Sequence, residues 1–158
     1  MKKKIKVMLI FGTRPEAIKM APIIKAMENN NHFQEIIVVT GQHREMLDQA
    51  LSDFKIVPDY DLHLMKKEQT LSSITIDVIK SLGKIFEKDK PDIVLVHGDT
   101  ATTFAASVSA FYHKIIIGHV EAGLRTWNKY SPFPEEMNRR LTDTLADLYF
   151  APTIQSQE

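Results

Sequence analysis

Four stretches of this chain are apolar along their length rather than at every second residue, and this limits the folds open to it more than any other feature. They are 5–11 (IKVMLIF), 35–40 (EIIVVT), 93–97 (IVLVH) and 115–120 (IIIGHV), each closed by or close to a glycine. A strand that is apolar on both faces belongs in a parallel sheet covered by helices on both sides. Helix-length segments lie between these runs. Thr13 and Glu16 form a capping-box signature for a helix to about residue 29, with Pro22 expected to bend it or restart it. Residues 43–51 and 101–112 are helical in pattern. In 70–88 the side chains of Leu71, Ile74, Val78, Leu82, Ile85 and Phe86 share one helical face. A further helix is expected at 134–146 and a last strand at 148–151. The stretch 56–65 is ambiguous: Pro58 weakens a central strand, while Tyr60, Leu62 and Leu64 alternate as in a short edge strand. The order β-α-β-α-(β)-α-β-α-β-α-β predicts a Rossmann-like, three-layer α/β/α parallel sheet with right-handed crossovers, one domain over residues 1–158.

Composition removes several function classes. Lys plus Arg and Asp plus Glu both total 20, so net charge is zero and a nucleic-acid partner is not expected. The chain has no cysteine, which excludes disulfides and thiolate metal sites. No two histidines have ligand spacing on one helix, so no metal is expected. Neither G-x-G-x-x-G after the first strand nor G-x-x-x-x-G-K-[ST] occurs, which argues against a typical NAD domain and a P-loop. The basic, apolar start is too short to cross a bilayer and lacks a cleavage site, so it reads as a first strand of a cytoplasmic protein. The closing APTIQSQE leaves a strand and opens what reads as another helix, so further chain is expected beyond it.

Open α/β sheets bind ligands outside the carboxyl ends of their strands, and this is where the charged motifs fall. Gly12-Thr13-Arg14-Pro15-Glu16, with Lys19 a turn later, is either a diphosphate site at a helix start or an ordinary cap with two solvated cations. In His97-Gly98-Asp99-Thr100 the aspartate is a catalytic carboxylate, a helix N-cap, or both. Glu121, in HVEAGLR, ends an apolar strand and must be paired, protonated or open to a cleft. Arg125 is a candidate partner for it, and His119 a candidate core histidine. Glu135 and Glu136 open a helix, where the dipole and i,i+4 pairing with Arg139 and Arg140 would account for them. Gln42, His43, Arg44 and Glu45 form either a cap or a second anion contact.

Together, FGTRPEAIKMAP at 11–22, TGQHREMLDQ at 40–49, KPDIVLVHGDT at 90–100, GHVEAGLRT at 118–126 and SPFPEEMNRRLTD at 131–143 resemble the non-hydrolysing UDP-N-acetylglucosamine 2-epimerases of bacteria. The resemblance runs over essentially the whole chain. It implies the N-terminal half of a GT-B-like two-domain fold, with the nucleotide-binding half beyond residue 158. It implies interconversion of UDP-GlcNAc and UDP-ManNAc, through anti elimination of UDP to a 2-acetamidoglucal and re-addition, to supply cell-envelope polysaccharide precursors. No cofactor is implied; the ligands are UDP-GlcNAc and UDP, and the full-length enzyme is a homodimer. Asp99, Glu121 and Glu135 match the family's catalytic acids, and Arg14 and Lys19 its phosphate contacts. His97 and Arg139 join the substrate-binding set. Gln42, His43 and Arg44 match a regulatory UDP-GlcNAc site of some members, although Glu45 and Glu68 place acids where those members have glutamine and arginine. The domain alone is expected to be inactive. Alternatives are a hydrolysing 2-epimerase, a GT-B glycosyltransferase and a flavodoxin-like binding domain. A receiver-type domain of the last kind would place acids, not Arg14, after the first strand.

Overall fold

The computed structural model describes residues 3–41, 44–64 and 68–157. Within them the chain runs β1 (Ile5–Phe11), α1 (Arg14–Glu28), β2 (Phe33–Val39), α2 (Arg44–Asp53), β3 (Tyr60–Asp61), α3 (Leu71–Asp89), β4 (Ile93–His97), α4 (Ala101–Tyr112), β5 (Ile116–Val120), α5 (Glu135–Leu145) and β6 (Leu148–Phe150), closing in a short 3-10 turn at Ile154–Gln157. All strand pairs are parallel, in the order β3-β2-β1-β4-β5-β6. The chain winds outward from β1 to β3, crosses back to β4, and winds outward the other way. The reversal between β1 and β4 opens the crevice in which such sheets bind ligands.

The apolar runs divide between two cores, as their double-sided pattern requires. Met8, Ile10, Val94 and Val96 face Val78, Leu82, Ile85 and Phe86 of α3 and Ala105, Ala106 and Ala110 of α4. Val7, Leu9, Phe11 and Leu95 face Ala17, Met20, Ala21 and Ile24 of α1 and Leu47, Ala50 and Leu51 of α2. Gly118 lets β5 sit between its neighbours: a Cβ there would meet Leu95 Cδ2 at 2.5 Å and Phe150 Cε2 at 3.2 Å. Tyr60 and Asp61 form the expected edge strand, extended by the Leu62 and Leu64 amides bonding to the carbonyls of Val39 and Thr40. Pro22 neither restarts α1 nor ends it. Proline frees the carbonyl four residues earlier; here that residue, Ile18, is exposed, so water can take the place of the missing donor. Among the described residues, no helix is long and apolar enough to cross a membrane.

The core assignment is testable at Leu82, which is wholly buried between α3 and the sheet. Leu82→Ala is expected to cost about 2–5 kcal/mol in urea unfolding with an unchanged slope. A loss below about 1 kcal/mol would mean that this face of α3 is not packed as described.

Candidate active site

The ends of β4 and β5 each deliver a carboxylate to the same sheet edge. After β4 the chain turns through Gly98, whose φ of 69° lies in the left-handed region that glycine enters without penalty. Thr100, not Asp99, is the N-cap of α4: its Oγ1 accepts from the Thr103 amide at 3.1 Å. The Asp99 side chain is therefore not spent on the helix. Its Oδ2 lies 2.6 Å from Arg139 Nη2, and its main-chain oxygen accepts from Asn138 Nδ2 at 3.0 Å.

Glu121 follows β5 with φ of 64°. A left-handed backbone costs a non-glycine residue about 1–3 kcal/mol and persists only where its surroundings enforce it. Here the carboxylate meets two cationic side chains and one imidazole. Glu121 Oε2 is 3.5 Å from Lys19 Nζ and 3.4 Å from His97 Nε2, and Oε1 is 3.7 Å from Arg139 Nη2. Arg139 Nη1 also donates to the Glu121 main-chain oxygen. The guanidinium of Arg139, with 5% of its side chain exposed, is thus shared by both strand-end acids.

This geometry changes three pairings expected from local spacing: Arg125 with Glu121, Glu136 with Arg140, and Glu135 with Arg139. Arg125 does not pair with Glu121; it holds Glu136 through Nε at 3.1 Å and Nη2 at 2.6 Å, and the Thr126 amide adds a bond at 3.0 Å. The Arg125 hydrogen bonds, with help from Thr126, hold the Glu136 carboxyl down at about 2 despite its burial. Arg139 turns to the sheet edge rather than to Glu135. Glu135, in the first turn of α5, is half-buried, and its Oε2 is buried with no hydrogen-bond partner.

The turn that leads into α1 already holds a carboxylate of its own. Glu16, 2% exposed, accepts at Oε2 from the amides of Gly12 (2.9 Å) and Thr13 (2.7 Å) and from Thr13 Oγ1 (2.8 Å). Its other oxygen accepts from Thr100 Oγ1 at 2.8 Å and Thr103 Oγ1 at 3.3 Å. One buried carboxylate thus joins the turn after β1 to the turn after β4, a link that no local motif signals. The exposed side chains of Arg14 and Lys19 remain available beside it. His97 is buried against Glu121, and neither ring nitrogen makes a hydrogen bond of good geometry. Burial pushes its imidazole below the ordinary value of 6.5, with Glu121 opposing.

A groove of about 890 Å³ adjoins the acids on the β6 side, lined by residues that include Gly123, Arg125, Trp127, Asp143 and Tyr149. Asp99 and Glu121 lie outside it, on the open sheet edge. Of the segment resembling a regulatory site, Gln42 and His43 fall outside the described residues, and Arg44 opens α2. Among the described residues no cluster of three His, Asp or Glu is placed to hold a metal ion.

Comparison with known proteins agrees across the chain. Residues 25–158 match the family model for UDP-N-acetylglucosamine 2-epimerase. A Bacillus subtilis UDP-N-acetylglucosamine 2-epimerase is 59% identical over 156 residues, covering 99% of this chain and 41% of the relative. The crystal structure of a Neisseria meningitidis UDP-GlcNAc 2-epimerase bound to UDP-GlcNAc superposes with a TM-score of 0.92 at 59% identity, over 97% of this chain and 42% of that one. MurG of Acinetobacter baumannii, at TM-score 0.63 and 13% identity, covers 92% of this chain and 40% of that one and shares the fold alone. The chain therefore spans about 40% of the length of the relatives it matches.

The buried His97 gives the site a pH signature. The folded chain holds this proton less readily than the unfolded chain, so the stability tied to neutral His97 is intact above pH 6.5 and falls as pH drops below it. Between about pH 7.5 and about pH 5.5, His97→Asn is expected to lose less unfolding free energy than wild type. Equal losses in the two proteins would show that His97 does not contribute.

Proposed function

The chain belongs to the UDP-N-acetylglucosamine 2-epimerase family, and we propose that it forms the sugar-facing wall of a non-hydrolysing enzyme that interconverts UDP-GlcNAc and UDP-ManNAc. The observation that carries this reading is the sharing of Arg139 by Asp99 and Glu121, with Lys19 on the far side of Glu121. The cluster is bipolar. In this reading its acids serve the sugar carbon that loses and regains a proton, and its exposed cations serve the departing diphosphate.

In the proposed reaction the C2–H proton is removed as the anomeric C1–O bond breaks. The electron pair becomes the C1=C2 bond of a 2-acetamidoglucal, and UDP carries off the C–O pair. UDP then adds back at C1 while C2 takes a proton on the opposite face. A single acid–base group would return the proton to the face it left, so inversion needs groups on both faces. This accounts for several carboxylates in one cleft, with Glu135 as the third. Positive charge at the anomeric carbon is stabilised by the same anions, and charge on the departing diphosphate by Arg14 and Lys19. His97 is the neutral wall behind Glu121, and Arg139 orients the two strand-end acids. The reading takes the second, nucleotide-binding domain of a GT-B-like enzyme as the opposite wall. It also takes the whole enzyme as a cytoplasmic homodimer that supplies precursors for cell-envelope polysaccharide. The 158 residues alone are expected to be inactive.

The test uses the full-length protein with UDP-GlcNAc in D₂O. Wild type is expected to give UDP-ManNAc and deuterium at C2. Asp99→Asn, Glu121→Gln and Glu135→Gln are each expected to lower the rate by about 10²–10⁴-fold. Release of free ManNAc would replace this reading with the hydrolysing reaction. Undiminished exchange in all three variants would remove the carboxylates from the chemistry.

A further inference from the structure

His119 lies within β5, and none of its ring is exposed. Its Nε2 is 2.7 Å from the Gly98 carbonyl oxygen and its Nδ1 is 2.6 Å from Asp143 Oδ1. A carbonyl oxygen only accepts, so Nε2 carries a hydrogen and donates it. A bare Nδ1 against an ionised carboxylate would set two lone pairs face to face in a buried site, where an unmade hydrogen bond is most costly. With Asp143 ionised, both ring nitrogens therefore donate.

What the ring holds is the turn that presents Asp99. The Gly98 amide donates to the Val120 oxygen at 2.9 Å, so β5 grips this one left-handed residue from both sides. The next residue is gripped from α5, through Asn138 on the Asp99 carbonyl and Arg139 on its carboxylate. Asp143 is the following turn of the same helix. His119 is thus the brace between α5 and the turn after β4, holding the residue before the acid.

We propose that His119 is a positioning residue for the epimerisation described above: braced by Asp143, its Nε2–H pins the Gly98 carbonyl and so aims the Asp99 carboxylate. It touches no reacting atom. The role in catalysis rests on the proposed function; the brace itself does not.

Asp143 is the safer place to cut, because its side chain is partly exposed while His119 is core. In the full-length protein, Asp143→Ala is expected to lower kcat by about 10–100-fold, as loss of an orienting partner does, with KM nearly unchanged. Asp143→Asn should recover most of kcat, because its amide N–H can donate to Nδ1 while Nε2–H still holds Gly98. Nitrogen-15 NMR of the 158-residue chain should show two ring hydrogens on His119 in wild type and one in Asp143→Asn. In Asp143→Ala the Gly98 and Asp99 amide signals should move. Wild-type kcat in Asp143→Ala, equal losses in the Ala and Asn variants, a loss confined to KM, or a single ring hydrogen in wild type would each overturn the proposal. If wild-type protein makes no UDP-ManNAc, the functional reading falls, and the ring-hydrogen count and amide shifts still decide the brace.

Discussion

The guanidinium of Arg139 is the contact on which the site depends. It is almost without solvent, and it reaches Asp99 and Glu121 at once. A buried charge is tolerable only when paired and hydrogen-bonded, and removing one partner of such a group costs far more than the pair contributes on its own. The two acids are consequently not independent. Each supplies part of what makes the burial of Arg139 possible, and Arg139 fixes α5 against the ends of β4 and β5. The remaining cation, Lys19, is largely exposed and holds the outer oxygen of Glu121. The cluster therefore has a rigid inner half and an open outer half, as the proposed ligand, a sugar at one end and a diphosphate at the other, would require.

Rigidity is also built from below. Glu16 ties the turn after β1 to the threonines that open α4. This settles a carboxylate on the amides that precede α1, beside the exposed side chains of Arg14 and Lys19. The left-handed backbone at Glu121 is a cost carried in the folded state, offset by the contacts that converge on that residue. Groups held in place before the ligand arrives need no reorganisation during the reaction, and electrostatic stabilisation depends on that.

The sheet, its helices and the edge at which the strand-end acids gather could be read from the chain because they follow from local patterns. Strand-length apolar runs, a capping box and strand-end acids each declare themselves within a few residues. The pairings could not be read in this way. The helical i,i+4 rule assigned Arg139 to Glu135, but the face of α5 that carries Arg139 is turned to the sheet edge, where the Asp99 carboxylate is a better partner than a neighbour in the first turn. Glu16 was legible as half of a capping box, yet its second oxygen reaches Thr100, 84 residues away. Thr100 took the N-cap position that Asp99 would otherwise fill, and that one-residue difference leaves the Asp99 carboxylate free to pair with Arg139. Asp143, inside a helix and without a motif, carried no signal until β5 placed His119 beside it.

The account stands on the sugar lying over the strand-end acids rather than in the neighbouring groove. A crystal structure of the full-length protein with UDP-GlcNAc bound tests this most directly. The account predicts C2 of the sugar within about 3–3.5 Å of a carboxylate oxygen of Asp99, Glu121 or Glu135, as a near-attack geometry requires, with the diphosphate toward Arg14 and Lys19. A sugar ring seated instead in the groove between Gly123, Trp127 and Tyr149, away from all three acids, would contradict it.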